Sequence, residues 1–232
     1  MKTALLIGVA ALSLSIGQLQ TKGTILPSQP AITGVQTTMA YEPGPVSISG
    51  RQFDMVTQVK VDGQDMPILH RTGNELVIQH EYVNPGFGAL ELVVPGTPVR
   101  GTIEFTPSLR ASRSATSLDM VLNPGEPGAV WINWSLRALD TPLDIPGVFY
   151  PQMLDLGIPR SGQLCSERSL TGEALDLSIP LPVLGGISGL ELRRTAYLQA
   201  FCLLGSEAYL CHSNMVVVPL GHIRAGVLQS GG

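Results

Sequence analysis

The sequence predicts an all-β protein made of two consecutive β-sandwich domains behind an exported N-terminus. Three observations carry that expectation. Short runs of alternating apolar and polar residues recur from about Pro30 to Val218, the two-residue period of half-buried antiparallel strands. Gly 26 and Pro 18 in 232 residues supply turns between many short strands. The chain begins Met1-Lys2-Thr3 and then runs uncharged and apolar from Ala4 to Ile16, the charged start and short core of a signal peptide.

Taken in order, residues 1–17 read as that signal peptide, with Ser15 and Gly17 as the small residues before a cut at Gln18. A spanning helix needs about 20 apolar residues, so the run is too short for a membrane anchor. A buried N-terminal helix would instead carry a polar face. Residues 18–29 form a polar leader. Strands are then expected around Val46/Ile48, from Met55 to Val61, and at Leu76/Ile78, Leu90/Leu92/Val94 and Ile103/Phe105. Between them lie Glu42-Pro43-Gly44-Pro45, Thr72-Gly73-Asn74 and Asn84-Pro85-Gly86, each able to fix φ or to take it positive. Asp62-Gly63 is the sharpest hairpin signal.

The segments Pro30 to Val35, Glu42 to Gly50, Gln58-Val59-Lys60-Val61-Asp62-Gly63-Gln64 and Asn74 to Ile78, taken in that order, resemble an IPT/TIG domain. That family has a proline-led first strand, a glycine-rich turn into the second, and a V-x-V-x-G hairpin. The resemblance covers residues 30–106 and implies an immunoglobulin-like fold in a spacer, adhesion or interaction module without shared catalytic residues. One departure stands out: the family's Gly-Phe pair is here Gly50-Arg51-Gln52-Phe53, which displaces the aromatic plug by two residues.

Residues 107–116, with two arginines, several serines and no apolar period, read as a linker. The second sandwich is expected over 117–221, followed by a tail at 222–232. Its strands are Leu118/Met120/Leu122, Val130/Ile132/Trp134/Leu136 and Leu175/Leu177/Ile179/Leu181. Near the C-terminus a hairpin turning at Ser206-Glu207 opposes Leu204/Tyr209, Cys202/Cys211, Ala200/Ser213, Leu198/Met215 and Ala196/Val217, an almost wholly apolar face. Gly189-Leu190, Tyr197-Leu198-Gln199-Ala200 and Ser213-Asn214 with Val216-Val217-Val218 also resemble a C-terminal β module of exported bacterial proteins.

Charged residues make up 14% of the chain, the net charge is -4 and aromatic residues are 5%. Such a surface lacks the clustered basic charge that phosphate backbones need, so nucleic acid is not an expected partner. It also lacks the aromatic girdles of an outer-membrane barrel. A mean hydropathy of +0.25 suggests sheet faces covered by partners.

No enzymatic set emerges. His70, His80, His212 and His222 show no zinc spacing, and His80 shares the apolar face of Leu76 and Ile78 as a core histidine. Asp62-Gly63-Gln64-Asp65 lacks the further oxygens of a calcium loop. Asp140, Asp144 and Asp155 are loop acids whose use as a hydrolytic pair is the minor reading. No catalytic residue, cofactor or metal is expected. In an exported compartment Cys202 and Cys211 are expected to bridge, with Cys165 free or bridging to one of them; three buried thiols is the alternative. Trp131 falls opposite Val130, Ile132 and Trp134, where it can form a second core layer or a domain interface, the favoured reading, or stack on a ligand.

These features predict a non-catalytic binding or structural protein exported to the periplasm, surface or medium, touching the membrane only through export. Its expected partner is protein or glycan at the cell surface. A carbohydrate-binding accessory module is the alternative.

Overall fold

A computed structural model describes residues 29–157, 161–169, 171–180, 195–206 and 208–219. The expected signal peptide, all but the last residue of the leader, Gly189-Leu190, His222 and the tail lie outside them. Strands dominate, in two consecutive sandwiches.

In the first sandwich, β1 (Ala31–Val35), β3 (Gly44–Arg51), β7 (Glu75–His80) and β6 (Ile68–Arg71) form one sheet in the order β1-β3-β7-β6. The facing sheet runs β2 (Thr38–Met39), β9 (Val99–Thr106), β8 (Gly86–Val93), β4 (Gln58–Val61) and β5 (Gln64–Met66). The chain crosses between sheets directly after β1, so β2 pairs parallel to β9. This is an immunoglobulin-like arrangement. Alternation puts Val46 and Ile48, Leu76 and Ile78, Leu90 and Leu92, and Ile103 and Phe105 inward, all buried in one core.

Within the expected strand from Met55 to Val61, only Gln58–Val61 pairs; Phe53–Met55 is a 3-10 turn. That turn explains the displaced aromatic. Gln52 adopts φ 59, and the Phe53 ring folds back over Gly50, where an added Cβ would meet it at 2.2 Å and the Ala31 carbonyl at 2.2 Å. Only glycine leaves that space open. Asp62 and Gly63 take φ 51 and 82, the positive pair of a two-residue hairpin turn. Asp62 Oδ1 accepts the Ala89 N–H at 2.7 Å, so this carboxylate anchors the hairpin to β8.

In the second sandwich, β10 (Ser108–Arg113), β11 (Ser117–Asn123) and β17 (Leu175–Pro180) face a larger sheet. The latter runs β14 (Val148–Phe149), β19 (Tyr209–His212), β18 (Thr195–Leu204), β12 (Gly128–Ser135) and β16 (Ser161–Ser169), with β20 (Val216–Pro219) also on β18. Leu118, Met120 and Leu122 pack against Val130, Ile132, Trp134 and the even-numbered residues from Ala196 to Leu204. β13 (Ala138–Leu143) and β15 (Gln152–Leu154) form a separate ribbon. The end of the strap between them, with β15 and Asp155 that follow it, crosses the outer face of β12 and β18. There Gln199 accepts the Met153 N–H at 2.9 Å and donates to the Pro151 carbonyl at 3.1 Å, and Ser135 Oγ donates to the Asp155 carbonyl at 2.8 Å.

Two expectations are corrected. Residues 107–116 are not a linker, because β10 occupies Ser108–Arg113 and pairs along its whole length with β11. Its inward residues are Leu109, Ala111 and Arg113, too little apolar surface to register as a period. The hairpin register holds at Phe201/His212, Cys202/Cys211, Leu203/Leu210 and Leu204/Tyr209. It then slips by one, so that Leu198 opposes Val216 and Ala196 opposes Val218. The slip turns Val218 inward and leaves Val217 52% exposed, the consequence of the two-residue side-chain period.

Asn214, which lies at the slip, ties the two sheets of the second sandwich together at its border with the first. Its Oδ1 accepts the Leu109 N–H at 2.8 Å and its Nδ2 donates to the Leu109 carbonyl at 2.9 Å, so one side chain does the work of a β bridge. Gly86 of the first sandwich lies beneath it, with φ 115 and an added Cβ only 2.9 Å from Asn214 Cβ. Met39 and Tyr41, from the first sandwich, pack in the second core. Arg110 stacks over Phe87 at 3.8 Å and pairs with Glu104 at 3.9 Å. Glu104 also accepts from Ser108 and, at 3.2 Å, from Asn123. With β9 ending at Thr106 and β10 beginning at Ser108, the joint is a packed seam.

Candidate functional site

Strand β12 alternates strictly. Val130, Ile132 and Trp134 enter the core, Trp134 being only 2% exposed, so Trp131 emerges on the outer face. It is half-buried and belongs to neither core. The expected second core layer is therefore not what holds it. In the ladder Trp131 lies opposite Phe201 on β18 and Ser166 on β16, and Phe201 lies opposite His212 on β19. The Phe201 and His212 rings are 4.3 Å apart. Three adjacent strands thus present Trp131, Phe201 and His212 in one row.

The next row along the same strands is Ala129, Leu203 and Leu210, with Leu203 36% and Leu210 40% exposed. It opens into a groove of about 610 Å³ lined by Pro127, Gly128, Ala129, Leu203 and Ala208, with the hydroxyl-bearing Ser169 and Ser206 at its sides. In the opposite direction the outer face is closed by the strap. The outcome is a continuous apolar strip, aromatic at one end and aliphatic at the other.

A second concavity, of about 250 Å³, lies at the seam between the sandwiches. Tyr82, Asn84 and Pro85 come from the connection between β7 and β8, Phe149, Tyr150 and Pro151 from the strap, and His212 from the end of β19. Tyr41 stacks on Phe149 at 5.1 Å and contacts Tyr209 at 5.9 Å. Its hydroxyl is buried and has no hydrogen-bond partner among the described residues. Burial raises its pKa, as it does that of Tyr150. His212 Nδ1 donates to the Tyr150 carbonyl at 3.0 Å; burial pushes the imidazole below its usual range, and this backbone bond opposes that.

Cys202 and Cys211 oppose each other as expected, but all three cysteines are free thiols. The Ser213 N–H donates to the Ala200 carbonyl at 2.9 Å. By alternation, Cys202 and Cys211 also fall on a hydrogen-bonded pair, where Cα atoms are about 5.5 Å apart and side chains stand further from each other. The Cys202 thiol is held well above the ordinary range, first by its hydrogen bond with Cys211 and then by burial. Burial, then the Glu167 charge, raises Cys165.

The remaining sequence candidates have structural partners. His80 is fully buried, donating from Nδ1 to the Glu81 carbonyl at 2.6 Å and accepting at Nε2 from Thr38 at 3.3 Å. Asp140 and Asp155 both pair with Arg137, at 3.2 and 3.9 Å, while Asp144 is exposed. Among the described residues no three metal-ligating side chains gather. Sequence reasoning missed Phe201, Leu203 and Leu210, although the hairpin register contained the signal: they alternate with Ala200, Cys202 and Cys211. Tyr82, Asn84 and Tyr150 carry no local signal, because three distant segments bring them together.

The chain matches no protein-family model and no curated protein. Solved structures that overlap it include the gamma-CGTase of the alkalophilic Bacillus clarkii, at 13% identity and TM-score 0.31 over 82% of this chain and 24% of that one. Another is SGBP-B of the Bacteroides ovatus mixed-linkage glucan utilization locus, in complex with a mixed-linkage heptasaccharide, at 11% identity and TM-score 0.28 over 79% of this chain and 42% of that one. A domain segment of intimin overlaps at 8% identity and TM-score 0.32, over 81% of this chain and 98% of that one. The chain thus spans less than half the length of the first two. The architecture stands on the strand pairing described above.

Proposed function

We propose that this chain is an exported, non-catalytic binding protein that works through protein or adhesive contacts at the bacterial cell surface, its first sandwich being of IPT/TIG type. One observation carries the reading: the outer face of β12, β18 and β19 leaves Trp131, Phe201, Leu203 and Leu210 in a contiguous strip outside both cores. Leaving such a strip in water forfeits about 25 cal/mol per Å² of apolar area, a cost that association recovers. Aromatic residues at the centre of such a patch are the usual anchors of an interface. The order of strands and the burial of Phe53 over Gly50 support the IPT/TIG assignment.

Cross-linking of the full chain on cells, with Phe201→Asp and Leu203→Asp as controls, tests this. Capture of a protein partner that both substitutions abolish is the expected result. Hydrolytic turnover that vanished on changing a single acid would overturn the non-catalytic reading.

A specific observation favours a second reading, a carbohydrate-binding accessory module. Trp131 and Phe201 sit side by side on adjacent strands, and aromatic rings in a row suit stacking on successive sugar rings. Here Trp131→Ala abolishes retention on insoluble polysaccharide, whereas unchanged retention rejects the idea.

A further inference from the structure

We propose that the cleft at the seam between the two sandwiches is a binding site for one neutral pyranose ring of a glycan. It adjoins the strip of Trp131 and Phe201 through His212, which belongs to both, and does not depend on that strip for its walls.

The lining first excludes charge. Tyr82, Asn84, Phe149, Tyr150 and the prolines present no ionised group. His212 spends its Nδ1–H on the Tyr150 carbonyl and, buried to 3% exposure, is kept neutral. A phosphate, carboxylate or ammonium would therefore lose its hydration without finding a counter-charge. Size then limits the occupant. At about 250 Å³ the cleft falls below the roughly 300–1,000 Å³ of sites for drug-sized ligands, which suits one ring and not an extended peptide.

The chemistry of the walls matches a sugar. A pyranose has apolar C–H faces and a hydroxyl-bearing edge. Aromatic walls cover the faces, and the tips of Tyr82, Asn84 and Tyr150 can reach the hydroxyls. Tyr82 is 70% exposed, an aromatic ring kept at the rim without a packing role. Tyr41 adds a buried phenol lacking a partner among the described residues, and a buried polar group in that state calls for a ligand or water. Tyr150 adopts φ 65, costly for a bulky residue and concentrated at ligand clamps in folded proteins. Finally, the walls come from both sandwiches, and the seam that holds them is already packed. The cleft is preformed, so binding costs little ordering.

The test is saturation-transfer NMR and calorimetry on the full chain with methyl α- and β-pyranosides of glucose, galactose, mannose and N-acetylglucosamine. At least one should bind; Tyr82→Ala should then weaken it roughly tenfold, Tyr150→Phe severalfold, and Trp131→Ala not at all. Tyr82 is exposed enough for its substitution to leave the fold intact, which the calorimetric melt verifies. Absence of binding across the panel overturns the proposal. So does binding that survives Tyr82→Ala, that is lost with Trp131→Ala, or that is outcompeted by a polyproline peptide.

Discussion

Replacing Asn214 by alanine tests how β10 is held against the rest of the second sandwich. The Asn214 amide satisfies both backbone groups of Leu109, at 2.8 and 2.9 Å, and Leu109 itself is only 1% exposed. Alanine would leave a buried N–H and a buried carbonyl without partners, each worth about 1–3 kcal/mol. The bonds are partly buried, so water can recover some of this, and a loss of about 2–3 kcal/mol is expected. For a protein of this size that lowers Tm by roughly 4–12 °C. An ordinary surface asparagine would cost less than about 0.5 kcal/mol. Asn214→Asp discriminates further: the carboxylate still accepts the Leu109 N–H but faces the Leu109 carbonyl with no hydrogen to give, so it too should destabilise. Scanning calorimetry and urea melts followed by tryptophan fluorescence measure both. A shift below about 0.5 kcal/mol for alanine would refute the bridging role.

Three other outcomes are expected. Gly86→Ala combines a φ of 115 with a Cβ 2.9 Å from Asn214 Cβ and should destabilise by at least about 1 kcal/mol in the same melts; a neutral result would show that the seam yields easily. His212 has a depressed folded pKa, so the unfolded chain binds its proton more readily. Stability from this residue is full above the unfolded value of about 6.5 and is lost as pH falls through the folded value; urea melts should show this loss, and His212→Gln should flatten it. Native thiol labelling should modify only the half-buried Cys165, faster as pH rises toward its raised pKa. Cys202 and Cys211 should react only after unfolding, and a Cys202–Cys211 cross-link in non-reducing peptide maps would contradict the free pair.

Local chemistry made much of this architecture legible. A strand with one wet face must alternate, so β3, β7, β8, β9, β11 and β12 could be read from side-chain order alone, as could the Asp62-Gly63 hairpin and the opposition of Cys202 to Cys211. Trp131 was likewise identifiable as lying opposite Val130, Ile132 and Trp134, although a second core layer or a domain interface was the favoured reading of that face. What alternation cannot reveal is what lies beyond a strand's own neighbours. β10 was unreadable because its inward face is Leu109, Ala111 and Arg113; it became a strand only because β11 offered a complete ladder. At the slip after Ser213, Asn214 reaches Leu109, 105 residues away in sequence, a contact no local pattern announces. Tyr82, Tyr150 and His212 share a cleft only because two sandwiches meet there. The sequence by itself determined the strands and which face of each is apolar, since those follow from the two-residue period. The tertiary structure alone decided which apolar faces stay uncovered and which distant side chains converge, because contacts between segments are set by packing and carry no signature in local order.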